Sequence, residues 1–169
     1  MRENTTGGNI ILIGMPGTGK TTVGKLLADA LSYGFVDTDQ FITGRTGKTP
    51  RQIVESEGRE RFLEIQDEAV EALDCENCVI STGGGLVHSH VAMTRLKAMG
   101  IVIFLNTGYE IIEERMDASR KLVRAGGSLR ELYDERIPLY NKYADAVVSC
   151  DNTEPQLLCK KILELAGKP

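Results

Sequence analysis

The chain has 169 residues, of which 41% are hydrophobic and 26% charged, as is typical of a globular domain rather than a disordered segment. Its formal net charge of -4, without a stripe of lysine and arginine, argues against a nucleic-acid partner. No apolar run approaches the roughly 20 residues that cross a bilayer, which argues against a membrane span.

Residues 1–8 are polar, and we expect them to form a loose leader that is neither a signal peptide nor a membrane anchor. The remaining residues, 9–169, contain no internal repeat and no linker, and we expect one domain there. A cytoplasmic monomer that acts on a small molecule is the working expectation.

The first predicted element is an apolar strand at 9–13, which leads into a segment of the form G-x-x-x-x-G-K-[ST] and then into a helix. Backbone N–H groups of such a loop bind phosphate oxygens, the lysine reaches the β- and γ-phosphates, and the hydroxyl coordinates Mg²⁺. A chance glycine-rich turn is the alternative. The predicted nucleotide site consists of Gly14, Gly17, Thr18, Gly19, Lys20, Thr21 and Thr22.

Four more short apolar stretches alternate with helical patterns further along the chain. They lie at residues 35–36, 79–82, 101–105 and 146–149. Five such strands predict an α/β fold, with a five-stranded parallel sheet and helices on both of its faces.

Two carboxylates, Asp37 and Asp39, follow the second predicted strand. We expect this segment to be extended, so that the two side chains face opposite ways and have different roles, one holding Mg²⁺ through water and the other contacting an acceptor hydroxyl. In the alternative interpretation, Asp37 only caps a helix that begins near Gln40.

The third predicted strand ends in Gly83, Gly84 and Gly85, which suit a close approach of the backbone to a ligand, or alternatively a tight turn. The polar, basic segment 117–127 is expected to be a mobile loop that brings positive charge to a transferring phosphoryl group. Four arginines lie in or near this region: Arg115, Arg120, Arg124 and Arg136. Only Arg136 falls on the apolar face of a predicted helix, where a partner is needed.

The histidines and cysteines give weaker signals. We interpret Cys75 and Cys78, which form a C-x-x-C pattern, as reduced thiols, because no second pair of zinc ligands accompanies them. We interpret His88 and His90 as surface or helix-start residues, because their spacing converges poorly on a metal.

Four motifs occur in the order and spacing of one family. They are residues 14–22, Asp37-Thr38-Asp39, Ser81-Thr82-Gly83-Gly84-Gly85 and Arg136-Ile137-Pro138-Leu139-Tyr140. With these motifs the chain resembles the shikimate kinases over almost its whole length after Gly8. The phosphate loop alone is common to many kinases, whereas the other three motifs together are much more specific.

The resemblance implies a P-loop kinase fold with a substrate-binding helical segment at about 38–73 and a lid at about 117–127. It implies that the protein uses ATP and Mg²⁺ to phosphorylate the 3-hydroxyl of shikimate. By position, Lys20 and Thr21 would contact phosphate and metal, Asp37 would hold the metal through water, and Asp39 would orient or deprotonate the hydroxyl. Arg120 would be a catalytic lid arginine. The substrate would contact Gly83, Gly84, Gly85 and, through its carboxylate, Arg136.

The chain departs from the family pattern G-E-x-x-F-R, which here reads Gly58-Arg59-Glu60-Arg61-Phe62-Leu63. Leu63 thus replaces an arginine that helps to hold the shikimate carboxylate in the family. Arg59 lies four residues earlier on the same helix face, and we expect its guanidinium to reach across one turn and bind that carboxylate instead. The lid departs as well, with Arg120-Lys121-Leu122-Val123 in place of R-P-L-L.

Two alternatives follow from these departures. The acceptor could be a different small hydroxyl compound, or the chain could be a nucleotide-binding regulator on the same scaffold, without turnover.

Overall fold

A computed structural model of the protein describes residues 8–117 and 128–169. The expected leader therefore lies outside the described residues except for Gly8, and the expected lid except for Asp117, the last residue of a helix. Arg120 and Arg124 also lie outside them.

Five strands form one parallel sheet, as expected, in the order β2-β3-β1-β4-β5. The strands are β1 (Asn9–Ile13), β2 (Gly34–Asp37), β3 (Cys78–Ser81), β4 (Gly100–Asn106) and β5 (Ala146–Ser149). The helices are α1 (Lys20–Leu31), α2 (Thr38–Thr46), α3 (Pro50–Glu57), α4 (Arg59–Glu71), α5 (His90–Met99), α6 (Tyr109–Asp117), α7 (Leu129–Tyr143) and α8 (Pro155–Leu165).

Alternate residues of each strand point to opposite faces of the sheet, so both faces carry apolar side chains. Helices cover both faces and bury these side chains. Every residue of β1 is buried, with Ile11 and Ile13 in one core cluster and Ile10 and Leu12 in the other. The first cluster includes residues of α5 and α7, and the second includes residues of α1 and α8. A third, smaller cluster joins α2, α3 and α4.

The strand order brings the ends of β2, β3 and β1 together at one edge of the sheet. Asp37 is in register with Ser81, and Ser81 with Leu12. The loops that follow these strands are therefore neighbours, although they are far apart in the sequence. Ligands of open parallel sheets bind at this edge.

The predicted extended conformation of Asp37 to Asp39 is wrong. β2 ends at Asp37, and Asp39 lies in the first turn of α2. The reason is local: the Asp37 carboxylate accepts hydrogen bonds from the backbone N–H groups of Asp39 and Gln40, which a helix otherwise leaves without partners.

Within the described part of the chain, no helix is both long and apolar enough to span a membrane. All four cysteines are free thiols.

Candidate active site

The phosphate loop connects β1 to α1 and is shaped by its glycines. Gly17 and Gly19 have φ angles of 85° and 92°, a region that side chains disfavour, and Gly19 is the N-cap residue of α1. The loop thus opens directly onto the positive end of a helix, as phosphate binding requires.

Lys20 lies within this loop rather than on the protein surface. Only 8% of the residue is exposed, and its Nζ donates to the carbonyl oxygens of Gly14 and Met15 at 2.7 and 2.9 Å. Thr18 is also buried. The ammonium group is thereby held over the loop that is expected to bind the phosphates.

Asp37 caps a helix, which was one of the two alternatives drawn from the sequence, and its second carboxylate oxygen faces the phosphate loop. Its Oδ1 caps α2, while its Oδ2 accepts a hydrogen bond from the Thr21 hydroxyl at 3.4 Å. A hydroxyl and a carboxylate at this distance are oxygen ligands of the kind that Mg²⁺ prefers, so these residues fit such an ion.

Asp39 has an unusual electrostatic environment. Burial and the nearby Asp37 carboxylate raise its pKa to about 6, although the charges of Lys20 and Arg136 act in the opposite direction. A carboxylate with a raised pKa in a cleft is a candidate general base, because it binds a proton near neutral pH and also releases it there.

The triple glycine packs directly against the charged groups of the site. A Cβ atom at Gly83 would collide with the Asp39 carboxylate, and one at Gly84 would lie 2.7 Å from Pro16 Cδ and 2.9 Å from Arg136 Nη1. The segment forms a turn at Gly84 and Gly85, and at Gly83 and Gly84 it leaves no room for a side chain. Tyr140 fixes this segment by donating its hydroxyl proton to the Gly84 carbonyl oxygen at 2.7 Å.

Arg136 is buried as its position on the apolar face of α7 predicts, with 6% of the residue exposed. Its Nε donates to Nε2 of His88 at 3.4 Å. Over residues 8–117 and 128–169, no carboxylate forms an ion pair with it. The guanidinium lies beside Gly84 and Gly85 without a carboxylate partner among the described residues.

The interpretation of both histidines as surface or helix-start residues is wrong for one of them. His90 is exposed and is the first residue of α5. In contrast, only 14% of the His88 side chain is exposed, because it packs beside Arg136.

Arg59 is a predicted site residue whose position does not point to a particular ligand. It is exposed and begins α4, and its charge helps to lower the pKa of His88. It does not line the cavity beside the phosphate loop, which is described next. The neighbouring Arg61 forms ion pairs with carboxylates of its own and the preceding helix, at 2.9 Å to Glu64 and 3.9 Å to Glu57.

One cavity of about 590 Å³ joins the phosphate loop to the two carboxylates and the triple glycine. Gly14, Thr18, Gly85 and Arg136 are predicted site residues that do not line it. The predicted site residues that line the cavity are Gly17, Gly19, Lys20, Thr21, Thr22, Asp37, Asp39, Gly83 and Gly84.

Arg115 also lines this cavity, and sequence reasoning did not single it out among the arginines. Its Nη1 donates to the Gly17 carbonyl oxygen at 2.7 Å, across 98 positions of sequence. The sequence placed it only among four arginines near the basic segment; its position in the helix that follows β4, the neighbour of β1 in the sheet, was the signal that distinguished it.

The shikimate kinase family model matches residues 16–166 of the chain. The shikimate kinase of Tolumonas auensis is 37% identical, over 94% of this chain and 96% of the relative, and that of Clostridium botulinum is 38% identical, over 91% and 96%. The solved structure of Acinetobacter baumannii shikimate kinase in complex with shikimate has a TM-score of 0.87 and 35% identity, covering 95% of this chain and 93% of that one. The chain therefore belongs to the shikimate kinase family.

Proposed function

We propose that this protein transfers the γ-phosphoryl group of ATP, in the presence of Mg²⁺, to the 3-hydroxyl of shikimate. The observation that carries the proposal is the position of Asp39. Its buried carboxylate lies against Gly83, in the same cavity as the phosphate loop. A phosphoryl donor and an acceptor hydroxyl can therefore meet in one place.

On the donor side, the chain supplies positive charge and N–H groups. The loop amides and the N-terminus of α1 bind the phosphates, and Lys20 stabilises the negative charge that develops during transfer. Thr21 and Asp37 would hold Mg²⁺, which neutralises charge on the phosphoryl oxygens when it is bound. Arg115 would fix the loop through the Gly17 carbonyl oxygen.

On the acceptor side, Asp39 orients the hydroxyl and accepts its proton as the new oxygen–phosphorus bond forms. Its pKa of about 6 suits this role, because the group is mostly ionised at neutral pH and still basic enough to take a proton. The charges of Lys20 and Arg136 lower its pKa and so favour the ionised form that accepts a proton.

Arg136 would bind the carboxylate of shikimate, since its guanidinium is buried, charged and adjacent to Gly84 and Gly85. Arg59 would contribute from the start of α4, where Leu63 replaces the arginine of the family pattern. A relative whose structure contains shikimate supports the choice of substrate. The roles of 38–73 in substrate binding and of Arg120 in a lid at 117–127 rest on the resemblance alone.

A coupled assay of ADP release tests the proposal. We expect turnover with ATP, Mg²⁺ and shikimate, and none when either Mg²⁺ or shikimate is omitted. Turnover only with other small hydroxy acids or polyols would show that the substrate is wrong. Tight ATP binding without turnover on any acceptor would instead favour the regulator.

A further inference from the structure

We propose that His88 is a positioning residue for Arg136: its neutral imidazole accepts the Nε–H of the guanidinium and aims the Nη atoms at the acceptor's anionic group. This inference rests on the proposed function, in which that group is the carboxylate of the substrate. It assigns a role to a side chain that the transfer chemistry itself does not use.

The backbone around the triple glycine places His88 where it can do this. The segment continues into a 3₁₀ turn, Leu86–His88, in which the His88 N–H donates to the Gly85 carbonyl oxygen at 3.1 Å. His88 thus lies one turn beyond the glycines that pack against Arg136. The same short segment contacts both the Nη atoms of Arg136, through Gly84 and Gly85, and its Nε, through His88.

The geometry defines the protonation state that the role requires. Because Nε2 accepts a hydrogen bond from Arg136, the ring proton must be on Nδ1. Nδ1 lies 3.9 Å from Oε1 of the exposed Glu135, which carries a charge suited to that proton. At this distance Glu135 forms no hydrogen bond with the ring, so it acts on His88 only as a nearby negative charge, while Nε2 holds Arg136.

The charged groups around His88 come from two helices: Arg136 and Glu135 from α7, and Arg59 from α4. Burial, followed by the charge of Arg136, lowers the pKa of His88, whereas Glu135 raises it. The balance keeps the ring neutral at neutral pH, as an acceptor must be.

A neutral acceptor has a specific advantage over a carboxylate at this position. A carboxylate bound to Arg136 would neutralise the charge and compete with the carboxylate of a substrate, whereas an imidazole orients the guanidinium and leaves its charge available. Nη1 then stays beside Gly84, which lines the cavity, and Nη2 beside Gly85.

The tautomer can be measured by ¹⁵N NMR on the unmodified protein, without any activity assay. The chain has only two histidines, so His88→Gln is enough to assign both signals. We expect a neutral His88 with its proton on Nδ1 at pH 7, and a pKa below the ordinary value of 6.5. A proton on Nε2, or a charged ring at pH 7, would overturn the inference.

Three variants then test the role in catalysis: His88→Leu removes the acceptor, His88→Gln keeps a neutral one, and His90→Leu is the matched control. His90 is exposed, and its ring is hydrogen-bonded to the Tyr143 hydroxyl, seven residues and about two turns along α7 from Arg136. Loss of a hydrogen bond to a charged group predicts that His88→Leu raises the KM for shikimate about tenfold. The KM for ATP and kcat should change little.

His88→Gln should restore most of the affinity for shikimate, and His90→Leu should leave it unchanged. Equal losses in His88→Gln and His88→Leu, an unchanged KM in His88→Leu, or a parallel rise in the KM for ATP would contradict the positioning role. If the wild-type protein does not turn over shikimate, the proposed function fails, while the NMR experiment still decides the state of His88.

Discussion

The two sides of the cavity are built in different ways. The donor side is mainly backbone, because the phosphate loop and the start of α1 supply N–H groups from consecutive residues, with Lys20 added. The proposed acceptor side depends on side chains from separate elements: Asp39 on α2, which lines the cavity, and Arg136 on α7 and Arg59 on α4, which do not. The triple glycine after β3 lies between the two sides and contacts both.

This difference explains where the chain tolerates change. A site made of consecutive backbone groups needs its glycines and its lysine in a fixed pattern, and here that pattern is complete. A site made of side chains from several helices can replace one cation with another that reaches the same place. The replacement of a family arginine by Leu63, which the sequence pattern predicts, would fall on this second side.

The largest effect of a substitution on the rate of transfer is expected on the donor side. Lys20→Ala should lower kcat by about a hundredfold or more, because it removes a preorganised charge from the transferring phosphoryl group. Lys25→Ala is the matched control, since Lys25 is on the same helix but is exposed beside the Phe35 ring. Steady-state kinetics measure both variants, and similar rates in the two would argue against the role of Lys20.

On the acceptor side, the raised pKa of Asp39 predicts that activity rises with pH through about 6 while the free energy of unfolding falls. Its folded-state pKa of about 6 is higher than the ordinary value of 3.8, so its contribution to stability is lost as pH rises through that range. Asp39→Asn should therefore raise the free energy of unfolding above pH 6 by about 1 to 3 kcal/mol. The gain should disappear near pH 4.

The kcat/KM of the wild-type protein should fall as pH decreases through about 6, since protonated Asp39 cannot accept the proton of the hydroxyl. Urea denaturation and kinetics over a series of pH values measure the two effects. If Asp39→Asn were less stable than the wild-type protein at pH 7, the conclusion that the charge of Asp39 destabilises the fold would be contradicted.

The segment between the two sides should show an intermediate effect. Gly84→Ala places a methyl group against Pro16 and Arg136, and we expect it to cost about 1 to 3 kcal/mol of stability. Gly44→Ala is the control, because it lies in α2 with open space around it. Urea denaturation should show no loss for Gly44→Ala, and equal losses in both variants would indicate that the contact at Gly84 is unimportant.

The smallest expected effect concerns Arg59. Because it is exposed, Arg59→Ala should raise the KM for shikimate only about threefold to fivefold. Arg61→Ala should not change it, since Arg61 is paired with Glu64 and Glu57. If both variants change the KM equally, Arg59 does not replace the missing arginine.

Local patterns predicted most of the fold and the donor side. The five apolar strands, the phosphate loop and the inward position of Arg136 depend on neighbouring residues, and all agree with the structure. The acceptor side was harder, because its contacts join distant residues: His88 and Arg136 are 48 positions apart, and Arg115 and Gly17 are 98 apart.

The conformation of Asp39 was predicted wrongly for a different reason. The alternation of Asp37 and Asp39 would indicate opposite faces only in a strand, and the cap at Asp37 begins a helix at the next residue. As a result, both carboxylates line the same cavity.

The central claim is that the 3-hydroxyl of shikimate accepts the phosphoryl group of ATP while Asp39 takes the proton that this hydroxyl loses. ³¹P NMR of wild-type protein with ATP, Mg²⁺ and shikimate measures this transfer directly, with Asp39→Asn in parallel. We predict that the wild-type protein forms a phosphate ester at the 3-hydroxyl in step with ADP, and that Asp39→Asn binds ATP normally but forms the ester about a hundredfold more slowly or worse. Absence of the ester with the wild-type protein, or an unchanged rate in Asp39→Asn, would contradict the account.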